Sequence, residues 1–184
     1  MVMTSSIGHE LGSPAPVFSL PDATGRIVGL DDFASSTGLL VVFWCNHCPF
    51  VKHIKQGFAQ FAHEYQPKGL GVVAINANDA VTHPEDRPER MQEDIEAFGY
   101  TFDYLIDESQ EIARAYDAAC TPDFFLFDRD RKLAYHGQFD SSRPRNRDPV
   151  TGADLRRAAD AVLAGRAIAG DQTPSIGCNI KWRE

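Results

Sequence analysis

No stretch of this 184-residue chain approaches the ~20 consecutive apolar residues that span a bilayer, so a membrane-embedded helix is not expected. Basic charge is also scarce. Eighteen Lys and Arg face 26 Asp and Glu, giving a net charge of -8. Binding a phosphate backbone needs a basic face, so nucleic acid is not expected as a partner. The first thirty residues carry His9, Glu10, Asp22 and three prolines but no apolar core of a signal peptide. A cytoplasmic protein is therefore expected, in a compartment that keeps thiols reduced. Internal repeats and low-complexity tracts are missing, which argues against a solenoid. Cysteine is sparse, at four residues, and in a cytosolic chain so few read as catalytic or metal-binding before structural.

What is present is ordinary globular material, 43% apolar and long enough for one sizeable core. Leu39-Leu40-Val41-Val42-Phe43-Trp44 reads as a fully buried strand. Phe50, Ile54, Phe58, Phe61 and Tyr65 then recur at helical spacing along one face. Leu70-Gly71-Val72-Val73-Ala74-Ile75 is a second buried strand, so a parallel β-α-β unit is expected. Val17–Leu20 and Ile27–Leu30 read as a hairpin, as do Phe124–Phe127 and Lys132–His136. Thr82–Glu85 and Thr151–Asp154 read as capping boxes opening helices. Met1 to Leu11 is expected to be a loose terminus.

Cys45-Asn46-His47-Cys48 lies where the strand passes to the helix. Cys45 is expected just before the helix and Cys48 in its first turn. Unpaired N–H groups and the positive end of the helix dipole favour a thiolate there. Two thiols at this spacing close and reopen a small disulfide ring, the basis of dithiol redox chemistry.

Trp-Cys-x-x-Cys after a buried strand resembles the thioredoxin superfamily. The likeness spans roughly residues 12–181. Gly12 through Phe33 resembles the opening hairpin of the peroxiredoxin-like redoxin branch, the AhpC/TSA type. Thr121-Pro122-Asp123 before Phe124–Phe127 resembles that fold's cis-proline corner. The tail Pro174–Trp182 resembles the ending of a peroxiredoxin-like group. The resemblance implies an α/β thioredoxin-like fold: a central mixed sheet flanked by helices, an N-terminal hairpin extension and an inserted helix. It implies a domain over 12–170 after a flexible 1–11, with a tail over 171–184 packing on it.

Under this resemblance Cys45 is the nucleophile at the exposed mouth of the helix, and Cys48 resolves the mixed disulfide. Trp44 shields the thiols and joins the docking surface. Pro122 faces the dithiol in cis, freeing the Thr121 backbone to pair with an extended substrate peptide. His47, as a cation, would stabilise the Cys45 thiolate and make the couple more oxidising than one with Gly-Pro between the thiols. Cys120 stands open as a redox thiol, a metal ligand or a small buried hydrophobe. Cys178 stands open as a resolving or regulatory thiol or an inert one. Thioredoxins keep a buried acid near the resolving thiol, but Leu39–Trp44 carries none, and Asp123 is the candidate replacement. The charged loop Arg143–Asp148 reads as a solvated turn, with anion binding as the second reading.

The function expected is a thiol–disulfide oxidoreductase with no cofactor. It would act on a protein or small-molecule disulfide with a cellular thiol as reductant, as a monomer or homodimer. Peroxidase is the first alternative. Peroxiredoxins set the peroxidatic cysteine in Pro-x-x-x-Thr-x-x-Cys, and neither Cys45 nor Cys48 has the threonine and proline at those offsets. A metal-binding redoxin, with Cys45, Cys48, His47 or His53 and a further cysteine as soft ligands, is the second.

Overall fold

The computed structural model describes residues 3–7 and 9–183. The expected loose terminus is ordered in part: Met3–Ser5 forms a strand, β1. Met1 and Val2 lie outside the described residues. The expected hairpin follows as β2 (Ser19–Pro21) and β3 (Ile27–Gly29). The Asp22 carboxylate closes its turn by accepting the N–H groups of Thr24 and Arg26.

β4 (Gly38–Phe43) is buried along its whole length, as its unbroken apolar run requires. It leads into α1 (Pro49–Tyr65), which buries Ile54, Phe58, Phe61 and Tyr65. Pro49 sits at the first helical position, where its missing N–H costs nothing. A short 3-10 turn and Gly69, at φ +99°, end this helical stretch and open β5 (Leu70–Asn76). β4 and β5 are parallel, as expected.

The inserted helix α2 (Pro88–Phe98) begins later than the Thr82–Glu85 pattern suggests. The Thr82 hydroxyl instead donates to the Asp79 carboxylate, and Pro84–Asp86 forms a separate 3-10 turn. Then come β6 (Asp103–Ile106), α3 (Glu111–Ala115), β7 (Cys120–Thr121), β8 (Asp123–Phe127) and β9 (Leu133–Gly137). The last helix is α4 (Ala153–Leu163), and the tail ends in β10 (Ile176–Asn179). Thr151–Asp154 is not a reciprocal capping box either. The Asp140 carboxylate accepts the N–H groups of Thr151 and Gly152 ahead of α4.

The central sheet has the order β6-β5-β4-β8-β9, with β8 and β9 antiparallel to their neighbours. Side chains alternate across it. Leu40, Val42, Phe124 and Leu126 face α1 and α4, around Phe58, whose ring lies within 6.0 Å of those of Trp44, Phe61, Phe102, Phe124 and Phe139. Val41, Phe43, Val73, Ile75, Phe125 and Phe127 pack on the other face, under the N-terminal hairpin and α3. A second small sheet, β1-β10-β7, brings both ends of the chain together beside Thr121. Among the described residues no helix is long and apolar enough to cross a membrane.

Candidate active site

The thiols sit where β4 delivers the chain to α1. Cys48 is the residue capping the helix, with extended backbone angles (φ -62°, ψ 128°), rather than part of its first turn. The helix N-terminus therefore acts most directly on Cys48, and Cys45 lies three residues before it. Both sulfurs are inaccessible: Cys45 and Cys48 are each 0% exposed, so Cys45 does not stand at an open mouth as expected. The peptide Thr121–Pro122 is cis, as the resemblance implied. The Thr121 hydroxyl lies 3.2 Å from Cys45 Sγ, and its carbonyl oxygen 3.2 Å from Cys48 Sγ.

The two neighbouring thiols influence each other's protonation. Burial raises Cys45, and its bond to Cys48 and the nearby Asp86 carboxylate push it further. Cys48 is drawn well below an ordinary thiol, first by the Cys45 hydrogen bond. Burial opposes this, while the Cys178 thiol and the Val51 and Cys178 N–H groups support it. Of the pair, Cys45 is the thiol pushed up and Cys48 the one drawn down.

Asp86 is the acid that sequence reasoning missed. It comes from the inserted turn and is fully buried at the side chain. Its oxygens accept the Asn46 N–H at 2.7 Å, His47 Nδ1 at 2.6 Å and Asn78 Nδ2 at 2.8 Å. Burial raises its pKa, but these hydrogen bonds and the His47 charge outweigh burial and hold it below the ordinary carboxylate value. His47 also stacks on His83, with centroids 5.1 Å apart. His47 therefore does not act on Cys45 as a free cation, because it is paired with a carboxylate whose own charge disfavours the Cys45 thiolate.

Asp123 does not take the proton-acceptor position. It lies on β8 opposite Phe43 and shares with Phe125 the sheet face away from α1. There it accepts Ser6 Oγ at 2.9 Å and bonds His136 Nε2 at 2.8 Å. Trp44 is wholly buried against Phe58 and offers no docking surface. His53 turns to Ser142, 2.7 Å away, and Lys52 is solvent-exposed. Arg143 is engaged with the Asp140 and Ser142 carbonyls rather than held free for an anion.

Cys120 is buried, and its thiol donates to the Pro122 carbonyl at 3.6 Å. Burial, then the charges of Asp123, Cys48 and Cys178, raise it far above an ordinary thiol, which favours Cys120 as a small buried hydrophobe. Cys178 is brought into the site: its Sγ lies 2.8 Å from Cys48 Sγ. Of the metal-ligand set considered from sequence, Cys45 and His47 come together. Their ligand atoms and an Asp86 oxygen lie within 4.8 Å of one another. A hollow of about 460 Å³ opens beside Pro49, lined by Met3, Phe50, Arg143, Pro144 and Ile176.

The chain is similar to known proteins in both sequence and fold. It is 29% identical over 130 residues to the thiol-disulfide oxidoreductase ResA of Geobacillus thermodenitrificans, covering 71% of this chain and 70% of that protein. It matches the crystal structure of a hypothetical protein of Sinorhizobium meliloti at 55% identity, with 98% of each chain covered and a TM-score of 0.96. Peroxidoxin BcpB of Mycobacterium tuberculosis shares the fold at 18% identity, covering 87% of this chain and all of that one, with a TM-score of 0.64. The AhpC/TSA family model matches residues 11–136. With most of its length matched, this chain belongs to the AhpC/TSA family.

Proposed function

We propose that this protein is a thiol–disulfide oxidoreductase whose redox centre is the Cys45/Cys48 pair. The observation that carries the reading is the pair itself: two thiols between a buried strand and a helix N-terminus, each 3.2 Å from an oxygen of Thr121 at the cis Thr121–Pro122 peptide. As a disulfide substrate approaches, a proton passes from Cys45 to Cys48. Cys45 thiolate attacks one substrate sulfur, forming a mixed disulfide and releasing the other as a thiolate. Cys48 then passes its proton to the substrate thiolate just released and attacks Cys45 Sγ, closing Cys45–Cys48 and releasing the second substrate thiolate. The helix terminus that favours the Cys48 thiolate suits it to this resolving step.

Since both sulfurs are covered, substrate entry requires their cover to shift. The apolar hollow at Pro49 and Ile176 is the adjacent open surface. The substrates in this reading are protein or small-molecule disulfides, and a cellular thiol regenerates the dithiol. A cytosolic setting would keep the couple reduced at rest. Equilibration in glutathione buffers, acid quenching and peptide mapping of all four cysteines tests the reading. A single two-electron Cys45–Cys48 couple between about -120 and -270 mV is expected. If Cys45 and Cys48 stay thiols across that range, the reading fails.

A further inference from the structure

The backbone edge of Thr121, where the resemblance seats an extended substrate peptide, is already filled by the chain's own tail. β10 pairs antiparallel with β7, with Cys178 opposite Thr121 and Asn179 opposite Cys120. On its other side β10 pairs with β1, Met3 standing opposite Cys178. The strand is pinned at both ends. Before it, the Ser6 N–H donates to the Ser175 carbonyl at 2.9 Å. After it, the Lys181 carbonyl accepts the Asp79 N–H at 2.9 Å and Gln110 Nε2 at 2.8 Å.

Gly177 lets the strand pass this close. A Cβ there would lie 2.0 Å from the Thr121 carbonyl oxygen. The result is a tethered extended segment that holds a thiol 2.8 Å from Cys48 Sγ, against about 2.05 Å for a disulfide bond.

We propose that Cys178 is a third redox thiol, which exchanges with the Cys45–Cys48 disulfide to form Cys48–Cys178. This rests on the dithiol reading of the site. In the exchange Cys178 thiolate attacks Cys48 Sγ. The Cys45–Cys48 bond breaks as the Cys48–Cys178 bond forms, and Cys45 leaves as a thiolate that takes the proton Cys178 has lost. One disulfide replaces another, so no outside oxidant is needed. In the reduced protein burial and the Cys48 thiolate both raise the Cys178 pKa, while Lys181 lowers it. Once Cys48 is in a disulfide its charge is gone and Lys181 remains, so Cys178 becomes a better nucleophile at the step that needs one. The Cys48–Cys178 bond fastens the tail covalently across the Thr121 edge, and its reduction returns the tail to its hydrogen bonds alone.

The test uses full-length protein carrying Cys45→Ser, with Cys45→Ala as a second variant should the first fail to fold. The reduced variant is exposed to oxidised glutathione, acid-quenched and peptide-mapped, alongside wild type. Cys48 should be found joined to Cys178, exceeding glutathionylated Cys48 at least about tenfold because the sulfurs are pre-positioned. Wild type should yield both the Cys45–Cys48 and Cys48–Cys178 forms. Glutathionylated Cys48 with a free Cys178, or a Cys48–Cys120 link, overturns the exchange. If wild type still forms Cys45–Cys48, the dithiol reading survives that result. A wild-type protein that never forms Cys45–Cys48 overturns both.

Discussion

Replacing Gly177 with alanine should lever the tail off the thiols. The new Cβ would sit 2.0 Å from the Thr121 oxygen and 2.6 Å from its carbonyl carbon, where ordinary contact begins near 3.4 Å. Relief requires β10 to move outward by about 1.4 Å, which carries the Cys48–Cys178 sulfur separation from 2.8 Å to roughly 4 Å. Overpacking of this kind costs about 1–3 kcal/mol, and here it falls on one edge strand rather than on the central core. A change of about 2 kcal/mol in local opening is roughly 30-fold in the population of the open tail. Alkylation of Cys48 in the reduced protein, followed by quenched mass mapping, should therefore accelerate by about 10- to 100-fold. The same strain of about 1–3 kcal/mol should appear as a loss of unfolding free energy in urea. An unchanged Cys48 rate in a folded Gly177→Ala protein refutes the role given to the tail as the cover of the dithiol.

Asp86→Asn removes the negative charge beside Cys45 while keeping the shape. Cys45 should then be alkylated from a lower pH than in wild type, and an unmoved midpoint would remove Asp86 from the site's electrostatics. In the reduced protein Cys48 should hold its thiolate to lower pH than Cys45 does. Its contribution to folding stability is present above the ordinary thiol pKa and is lost as pH falls through the lowered one. Urea midpoints of wild type and Cys48→Ser across that window check the sign. His136→Ala removes one hydrogen-bond partner of the buried Asp123 side chain and should cost about 1–3 kcal/mol of unfolding free energy, measured by urea denaturation. A cost under about 1 kcal/mol would mean that the Ser6–Asp123–His136 cluster is not a buried, coupled unit.

The parts of this protein legible in its sequence are those written in contiguous residues. The unbroken run Leu39–Phe43, the helical spacing from Ile54 to Tyr65 and the run Leu70–Ile75 each settle their own structure by burial, and together they place Cys45 and Cys48 at the strand–helix junction. The parts that were not legible depend on partners far along the chain. Asp86 reaches His47 and the Asn46 N–H from about 40 positions away, inside a turn whose Pro84-Glu85 pattern imitates a helix start. β1 and β10 are short and lack periodicity; they are strands only because they pair with each other and with Cys120–Thr121. Asp123 read as a proton acceptor because it adjoins Pro122, but alternation along β8 turns it to the opposite face. The charge at His47 was legible as a residue type, whereas its neutralising partner was not.

Trapping the first covalent step tests the central claim most directly. The reduced Cys48→Ser protein, mixed with a small disulfide such as 2-hydroxyethyl disulfide and quenched in acid, should accumulate one mercaptoethanol adduct on Cys45. The corresponding Cys45→Ser protein should consume the substrate far more slowly, through Cys48 and Cys178 alone. An adduct-free Cys45 in a folded Cys48→Ser protein, or undiminished turnover by Cys45→Ser, would contradict the assignment of Cys45 as the attacking thiol.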